Sequence, residues 1–288
     1  MIYSLGSINA DHVYRLLRLP TPGETLAAHA YSRMLGGKGA NQSIAAVRAG
    51  ARVVHIGALG PDGDWMRDAL ATAGVDVTHV ANAAVASGHA IVMVDSVGEN
   101  SIVIHPGANR ALDFNGVEAA LHDARPSDWL LMQNETNCQV EAARMAHGRG
   151  MRVAYSAAPF DARSVQAVIP YLTLLILNAA EAAQLFQMVG EVLVPRLLIT
   201  RGADGAEWRD LEKAETVSIP AFPVHPTDTT GAGDCFSGYT VAGLSAGLSP
   251  VRALRQAAAA AALQVQRLGA SGAIPALSDV KTFLAYHD

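Results

Sequence analysis

The chain has 288 residues, half of them hydrophobic and 16% charged, with a formal net charge of -5 at pH 7. That is enough apolar material for one large core, or a core with a smaller appendage, and too much for a disordered chain. The mildly acidic balance offers no field for nucleic acid. Two cysteines without a CxxC partner fit a reducing compartment, and no run of about 18 apolar residues suggests a membrane span.

Residues 2–6 read as a buried first strand ending at Gly6. This opening is not a basic, apolar leader, so a cytoplasmic location is expected. Asn9 and Asp11 follow at once. Polar residues just past a strand end lie where open α/β sheets bind ligands, although both also suit an Asx turn. Residues 12–19 alternate loosely, 20–23 form a turn, and 25–35 read as a half-buried strand. These pieces are too polar for the centre of a parallel sheet and suit a small sheet with one wet face.

Gly36-Gly37-Lys38-Gly39-Ala40-Asn41 then leads into a helix-like run over 42–49. The glycines allow a ligand close to the backbone, while Lys38 and Asn41 supply donors. Lys38 stands out because lysine otherwise occurs only at 213 and 281. The order is not that of a GxxxxGK[ST] phosphate loop; a donor-rich turn of this kind suits a polyhydroxylated substrate. Residues 52–59 read as a strand, 60–64 as a turn and 65–73 as a helix. Residues 89–95 and 101–105 read as a hairpin around Val97-Gly98-Glu99-Asn100, able to join the small sheet.

From residue 128 strand and helix alternate: strands at 128–132, 152–156, 174–177 and 196–200, with helices at 137–147, 163–168 and 179–188. That order implies a mostly parallel sheet with helices on both faces. The connection from Val189 to Pro195 leaves little room for another helix. A late hairpin at 206–208 and 216–219 precedes Asp228-Thr229-Thr230-Gly231-Ala232-Gly233-Asp234. Three helices follow, the second of them, 250–267, rich in alanine.

The 228–234 stretch organises the rest. Gly231, Ala232 and Gly233 leave backbone N–H groups bare at a helix start, which favours an anion. Asp234 then stands where negative charge would collect, able to take a proton from a hydroxyl. The plainer reading is a capped helix. Other polar residues gather at strand ends: Glu135 after 128–132, Asn178 with Glu181 three residues on, and Thr200, Arg201 and Gly202 after 196–200. Together they outline a crevice on one edge of the sheet, although Asn178 and Glu181 also read as a helix cap. Two carboxylates, Glu181 and Asp234, suit a magnesium–phosphate arrangement, with Glu181 acting through water.

These stretches resemble the PfkB, or ribokinase-like, family of carbohydrate kinases. The likeness is carried by Asn9-Ala10-Asp11, Pro22-Gly23-Glu24-Thr25, the 36–41 run, Asn178-Ala179-Ala180-Glu181 and the 228–234 stretch. The resemblance implies a three-layer αβα fold, a mostly parallel central sheet and a small β-sheet lid. The core is expected over 1–11, 36–87 and 106–288, and the lid over 12–35 and 88–105.

It implies transfer of the γ-phosphoryl group of ATP to a primary hydroxyl of a sugar, ribose being the first to test. A nucleoside kinase of the same fold, or a sugar-binding protein without turnover, are the alternatives. Asp234 is the implied base, and Gly231, Ala232 and Gly233 the anion hole. Asn9, Asp11, Gly37, Lys38, Asn41, Ala90, Val92 and Glu135 are expected around the sugar. Asn178, Thr200, Gly202 and Gly205, with Gly231 and Gly233, are expected at the nucleotide. Glu181 would hold Mg2+ through water, and Asp228 with Thr230 part of a K+ site. A homodimer through the lid is implied; nucleic acid and membrane are not expected partners. Ala258 stands where the family carries a histidine beside the adenine, which predicts a weakened or broadened nucleotide choice. His89 is expected to face solvent.

Overall fold

The structure, a computed structural model, describes residues 1–190 and 192–287. β1 (Ile2–Leu5) is apolar at nearly every position because both of its faces are covered. Its neighbours are β4 (Val53–Leu59) and β8 (Trp129–Gln133), both parallel to it. β5 (Asp76–Asn82) extends the sheet beyond β4. β9 (Arg152–Ser156), β10 (Leu174–Asn178) and β11 (Arg196–Thr200) extend it on the other side, all parallel. β12 (Ala206–Asp210) and β13 (Glu215–Ile219) complete it as an antiparallel hairpin, giving nine strands in the order β13-β12-β11-β10-β9-β8-β1-β4-β5.

Alternate residues of these strands feed two cores. Ile2, Leu131, Ala154, Ile176 and Leu198 face one, and Tyr3, Leu130, Val153, Leu175 and Leu197 the other. The first core is covered by α1 (Lys38–Arg48), α2 (Asp64–Thr72), α7 (Ala232–Ser245), α8 (Pro250–Gln264) and α9 (Leu277–Ala285). The second is covered by α3 (Phe114–Ala120), α4 (Gln139–Gly148), α5 (Ala162–Val168) and α6 (Ala179–Val189). This is the three-layer αβα arrangement that the sequence implied. Among the described residues no helix is long and apolar enough to cross a membrane.

A second sheet of four strands stands apart: β3 (Ala30–Gly36), β2 (Asn9–Arg15), β6 (Gly88–Val94) and β7 (Asn100–His105), in that order. The expected hairpin is the antiparallel pair β6–β7. The expected strand over 25–35 is shorter and later, beginning at Ala30. Asn9 and Asp11 are strand residues and not an Asx turn. Asn9 pairs with Gly36 on one side and Gly88 on the other, and two ladders outweigh a local side-chain turn.

Two elements escaped the sequence reading. β5 is a polar edge strand with weak alternation, and α3 is a short helix whose start is fixed by Asp113 accepting from Asn115 N–H. The short connection expected after residue 188 runs from the end of α6 to Arg196. No helix intervenes among its described residues, and Glu191 lies outside them.

Candidate active site

Two helix starts meet in the middle of the molecule. Gly238 on α7 makes this possible: a Cβ there would lie 2.5 Å from the Gln42 carbonyl oxygen and 2.6 Å from Ala45 Cβ. With only hydrogen at that position, α1 and α7 pack closely. The contact sets Asn41 and Gln42 against Asp234, 193 and 192 residues away. Asn41 Nδ2 donates to Asp234 Oδ2 at 3.0 Å, and Gln42 Nε2 donates to Oδ1 at 3.0 Å. Burial pushes the Asp234 carboxyl up, and Lys38 and the two amides oppose that without cancelling it.

The turn ahead of Asp234 has a backbone that suits an anion. Gly231 caps α7 at φ 74, a left-handed backbone that strains any residue with a side chain. Ala232 N–H makes a 3.2 Å bond to Thr229 O. Gly233 N–H has no acceptor among the described residues, and a Cβ at Gly233 would meet nothing within 4 Å. The unpaired amide stands at the positive end of a fourteen-residue helix.

A second group lies at the start of α1. Glu135, just past β8, accepts from the Ser7 hydroxyl and, at 3.1 Å, from Lys38 N–H. Its Oε1 is 3.5 Å from Lys38 Nζ. Burial alone would lower the Lys38 amine, but Glu135 and Asp234 outweigh it and hold the ammonium above its ordinary value. Asp11 reaches the same group from β2. Burial first, then Glu135, pushes its carboxyl up to about 6; Lys38 pulls the other way and Asp234 adds to the rise.

Ala90 pairs with Asp11 across β2–β6, and Val92 with Val13, so both share the Asp11 face. His89 is on the opposite face, beside His12 and His105 at ring separations of 6.1 and 5.1 Å. Asn9 is buried, and its Oδ1 accepts from Asn109 Nδ2 at 2.7 Å.

A polar cleft of about 210 Å³ runs past Lys38, Asn178, Glu181, Gly231, Gly233 and Asp234. It shares Thr200, Thr229, Ala232 and Gly233 with an apolar cavity of about 450 Å³. Gly202, Gly205, Phe222, Ala258 and Val265 line that cavity, so Phe222 supplies a ring where Ala258 has none.

Asn178 and Glu181 form a reciprocal cap on α6: Asn178 Oδ1 accepts from Glu181 N–H, and Glu181 Oε2 from Asn178 N–H. The cap and the cleft use the same residues, and Glu181 Oε1 is left for a ligand. Asp228 accepts from Thr230 N–H and Gly269 N–H, both at 2.9 Å. Burial alone would lift its carboxyl, but the Thr230 side chain first, then these backbone bonds, outweigh it and hold Asp228 below its ordinary range. Among the described residues no three His, Cys, Asp or Glu side chains cluster as a metal cage.

The predicted residues Asp11, Lys38, Asn41, Glu135 and Asp234 thus gather at one end of the cleft, and Thr200, Gly202 and Gly205 at the other. Asp228 and Thr230 stand on the flank of the turn. Ser7, Gln42, Gln133 and Phe222 were not foreseen. Of these only Gln42 carried a signal, since it follows Asn41 directly in the glycine run.

Comparison with known proteins gives the family and the fold. The pfkB family of carbohydrate kinases matches residues 1–277. The chain is 36% identical to ribokinase of Haemophilus influenzae, over 98% of this chain and 97% of that one. The crystal structure of ribokinase from Cryptococcus neoformans in complex with ADP superposes with a TM-score of 0.85 at 30% identity, covering 98% of each chain. Arabidopsis thaliana ribokinase complexed with ribose and ATP superposes with a TM-score of 0.86 at 27% identity, covering 98% of this chain and 97% of that one.

Proposed function

The chain belongs to the PfkB family of carbohydrate kinases, and from that premise we propose that it transfers the γ-phosphoryl group of ATP to the primary hydroxyl of ribose, giving ribose 5-phosphate. It is an ATP-dependent sugar kinase. Ribose is favoured because relatives at 36% and 33% identity bear that sugar's kinase name and one related structure holds ribose with ATP. The observation that carries the reaction is the Asp234 carboxylate, gripped by two amides beside the open Gly233 N–H, in a cleft that runs into an apolar cavity.

The nucleotide base occupies the apolar cavity between Gly202, Gly205, Phe222 and Ala258, and the phosphates follow Thr200 toward the start of α7. The sugar lies between Asp11, Asn41, Lys38 and Glu135, with Asn9, Gly37, Ala90 and Val92 shaping its pocket. Asp234 takes the hydroxyl proton as that oxygen bonds to the γ-phosphorus. The bond from phosphorus to the bridging oxygen breaks, and ADP leaves. Gly231, Ala232 and Gly233 N–H groups meet the charge on the equatorial oxygens.

Glu181 offers one free carboxylate oxygen facing the cleft, which fits a water-bridged Mg2+ neutralising the phosphates. Asp228, held ionised, fits one wall of a K+ site with Thr230. The small sheet, residues 12–35 and 88–105 joined by Asn9 to Asp11, closes over the sugar and excludes water that would hydrolyse ATP. The core is 1–11, 36–87 and 106–288. Tyr31, Ile102, Val103 and Ile104 on that sheet are each more than half exposed, which supports a homodimer formed lid to lid. The enzyme works in the cytoplasm, where ATP and a reducing environment suit its two free cysteines.

The test is ADP formation from ATP with ribose, other pentoses, hexoses and nucleosides, with and without K+. Ribose should give the highest kcat/KM; a preference for a nucleoside would move the chain to that branch of the family. Asp234→Asn should keep sugar affinity within about threefold and cut kcat at least about a hundredfold. Near-normal turnover in that variant would remove Asp234 from the role of base.

A further inference from the structure

We propose that Gln42, backed by Gln133, is a positioning residue for the reaction: the two side-chain amides form a buried relay that aims the Asp234 carboxylate at the sugar hydroxyl. The proposal rests on the reading of Asp234 as the base.

Gln42 and Gln133 both have 0% exposure. A buried primary amide is costly unless paired, and an apolar side chain would fill either site as well. The pairing has a direction. An ionised carboxylate only accepts, so Gln42 turns its NH2 to Asp234 Oδ1. Its oxygen then points inward and needs a donor, which Gln133 Nε2 supplies at 2.9 Å. Gln133 is in turn fixed at the end of β8, where its carbonyl accepts from Gln139 Nε2 at 2.8 Å. Gln133 Oε1 has no partner among the described residues, so the Gln133 side chain is oriented by what it gives to Gln42.

The relay thus ties the central sheet, through α1, to the first turn of α7. It restrains one oxygen of Asp234 while Asn41 restrains the other. Burial disfavours the ionised form of Asp234, and the Gln42 amide is one of the few groups opposing that. Without it a larger share of the enzyme would hold Asp234 protonated at neutral pH and unable to accept the hydroxyl proton.

Gln42→Met and Gln133→Met remove the amides at nearly constant volume. Each is purified as the full chain and assayed for kcat and for both KM values from pH 5 to 9, with urea unfolding to establish that it is folded. Gln42→Met should lower kcat about 10- to 100-fold at pH 7 and leave both KM values within about threefold. It should also move the acid limb of the kcat profile upward by about one pH unit, so that part of the loss is recovered at pH 9. Gln133→Met, which leaves both contacts to Asp234 in place, should do the same more weakly, and carries the test alone if Gln42→Met does not fold.

A folded variant that loses stability but keeps the wild-type kcat and acid limb assigns the amides to packing and overturns the proposal. Asp234→Asn, assayed in parallel, separates the two claims. Turnover retained there removes the base itself. A dead Asp234→Asn beside an unaltered Gln42→Met removes only the relay.

Discussion

Asp11 is predicted to be a residue that the fold would be better off without. Its carboxyl is pushed from an ordinary 3.8 to about 6 by burial and by the nearby Glu135. Between those two values the folded chain binds a proton that the unfolded chain has released. Stability therefore falls as pH rises through this window, and above pH 6 the whole penalty is present. The gap corresponds to about 3 kcal/mol, or about 2 once partial solvent access to the side chain is allowed for.

Asp11→Asn removes the charge and keeps the shape. At pH 8 it should unfold at higher urea, by about 2–3 kcal/mol, and near pH 4 the difference should vanish. The same change should weaken ribose by about 1–3 kcal/mol, because an amide offers one acceptor oxygen where the carboxylate offers two. Urea melts at pH 4, 6 and 8 with calorimetric titration of ribose measure both effects. A variant no more stable at pH 8, or a difference independent of pH, would refute the electrostatic reasoning. An unchanged ribose affinity would remove Asp11 from the sugar pocket.

Gly238→Ala should lower both stability and kcat, since the new methyl collides with the Gln42 carbonyl and with Ala45 and must spread α1 from α7. A loss of about 1–3 kcal/mol in urea melts is expected, and equal activity would show that the contact is slack. His55 should make the core acid-sensitive. It is fully buried, donates from Nε2 to Gly6 O and accepts at Nδ1 from the Ser43 hydroxyl, which requires the neutral ring. Its value is lowered from 6.5 to about 4, chiefly by burial. The unfolded chain takes up a proton first, so stability falls as pH drops from 6.5 toward 4, by about 3 kcal/mol in total. His55→Gln should flatten that dependence relative to wild type, and parallel curves in urea melts at pH 7 and 5 would count against it.

Much of this site could be read from local pattern. Asp234 follows bare glycines at the start of an apolar helix, and a helix mouth carries its chemistry in its own sequence. Lys38 and Asn41 were legible for the same reason. Gln42 has its position next to Asn41 as a signal, but its role is hidden, because an amide early in a helix looks like a solvated residue. Only contact with Gln133 and Asp234, 91 and 192 residues away, makes it a buried one. Asn9 and Asp11 read as site residues past a strand end, with an Asx turn as the alternative; that they lie inside a strand is not legible, since the strands at Gly36 and Gly88 that pair with them are invisible locally. β5 was missed because an edge strand needs neither continuous apolarity nor clean alternation. His89 carried both readings in its sequence, and the register of β6 against β2 puts it on the face away from Asp11.

The meeting of α1 with α7 also bears on how the protein is made. Synthesis proceeds from the N-terminus, and the early half of the sugar pocket emerges long before the residues that finish it. Until residue 234 and the helix behind it have left the ribosome, Asn41 and Gln42 have no carboxylate to hold. With Asp234 as the proposed base, a nascent chain has no means of phosphorylating a sugar, and a message cut short anywhere before that point yields no half-working enzyme.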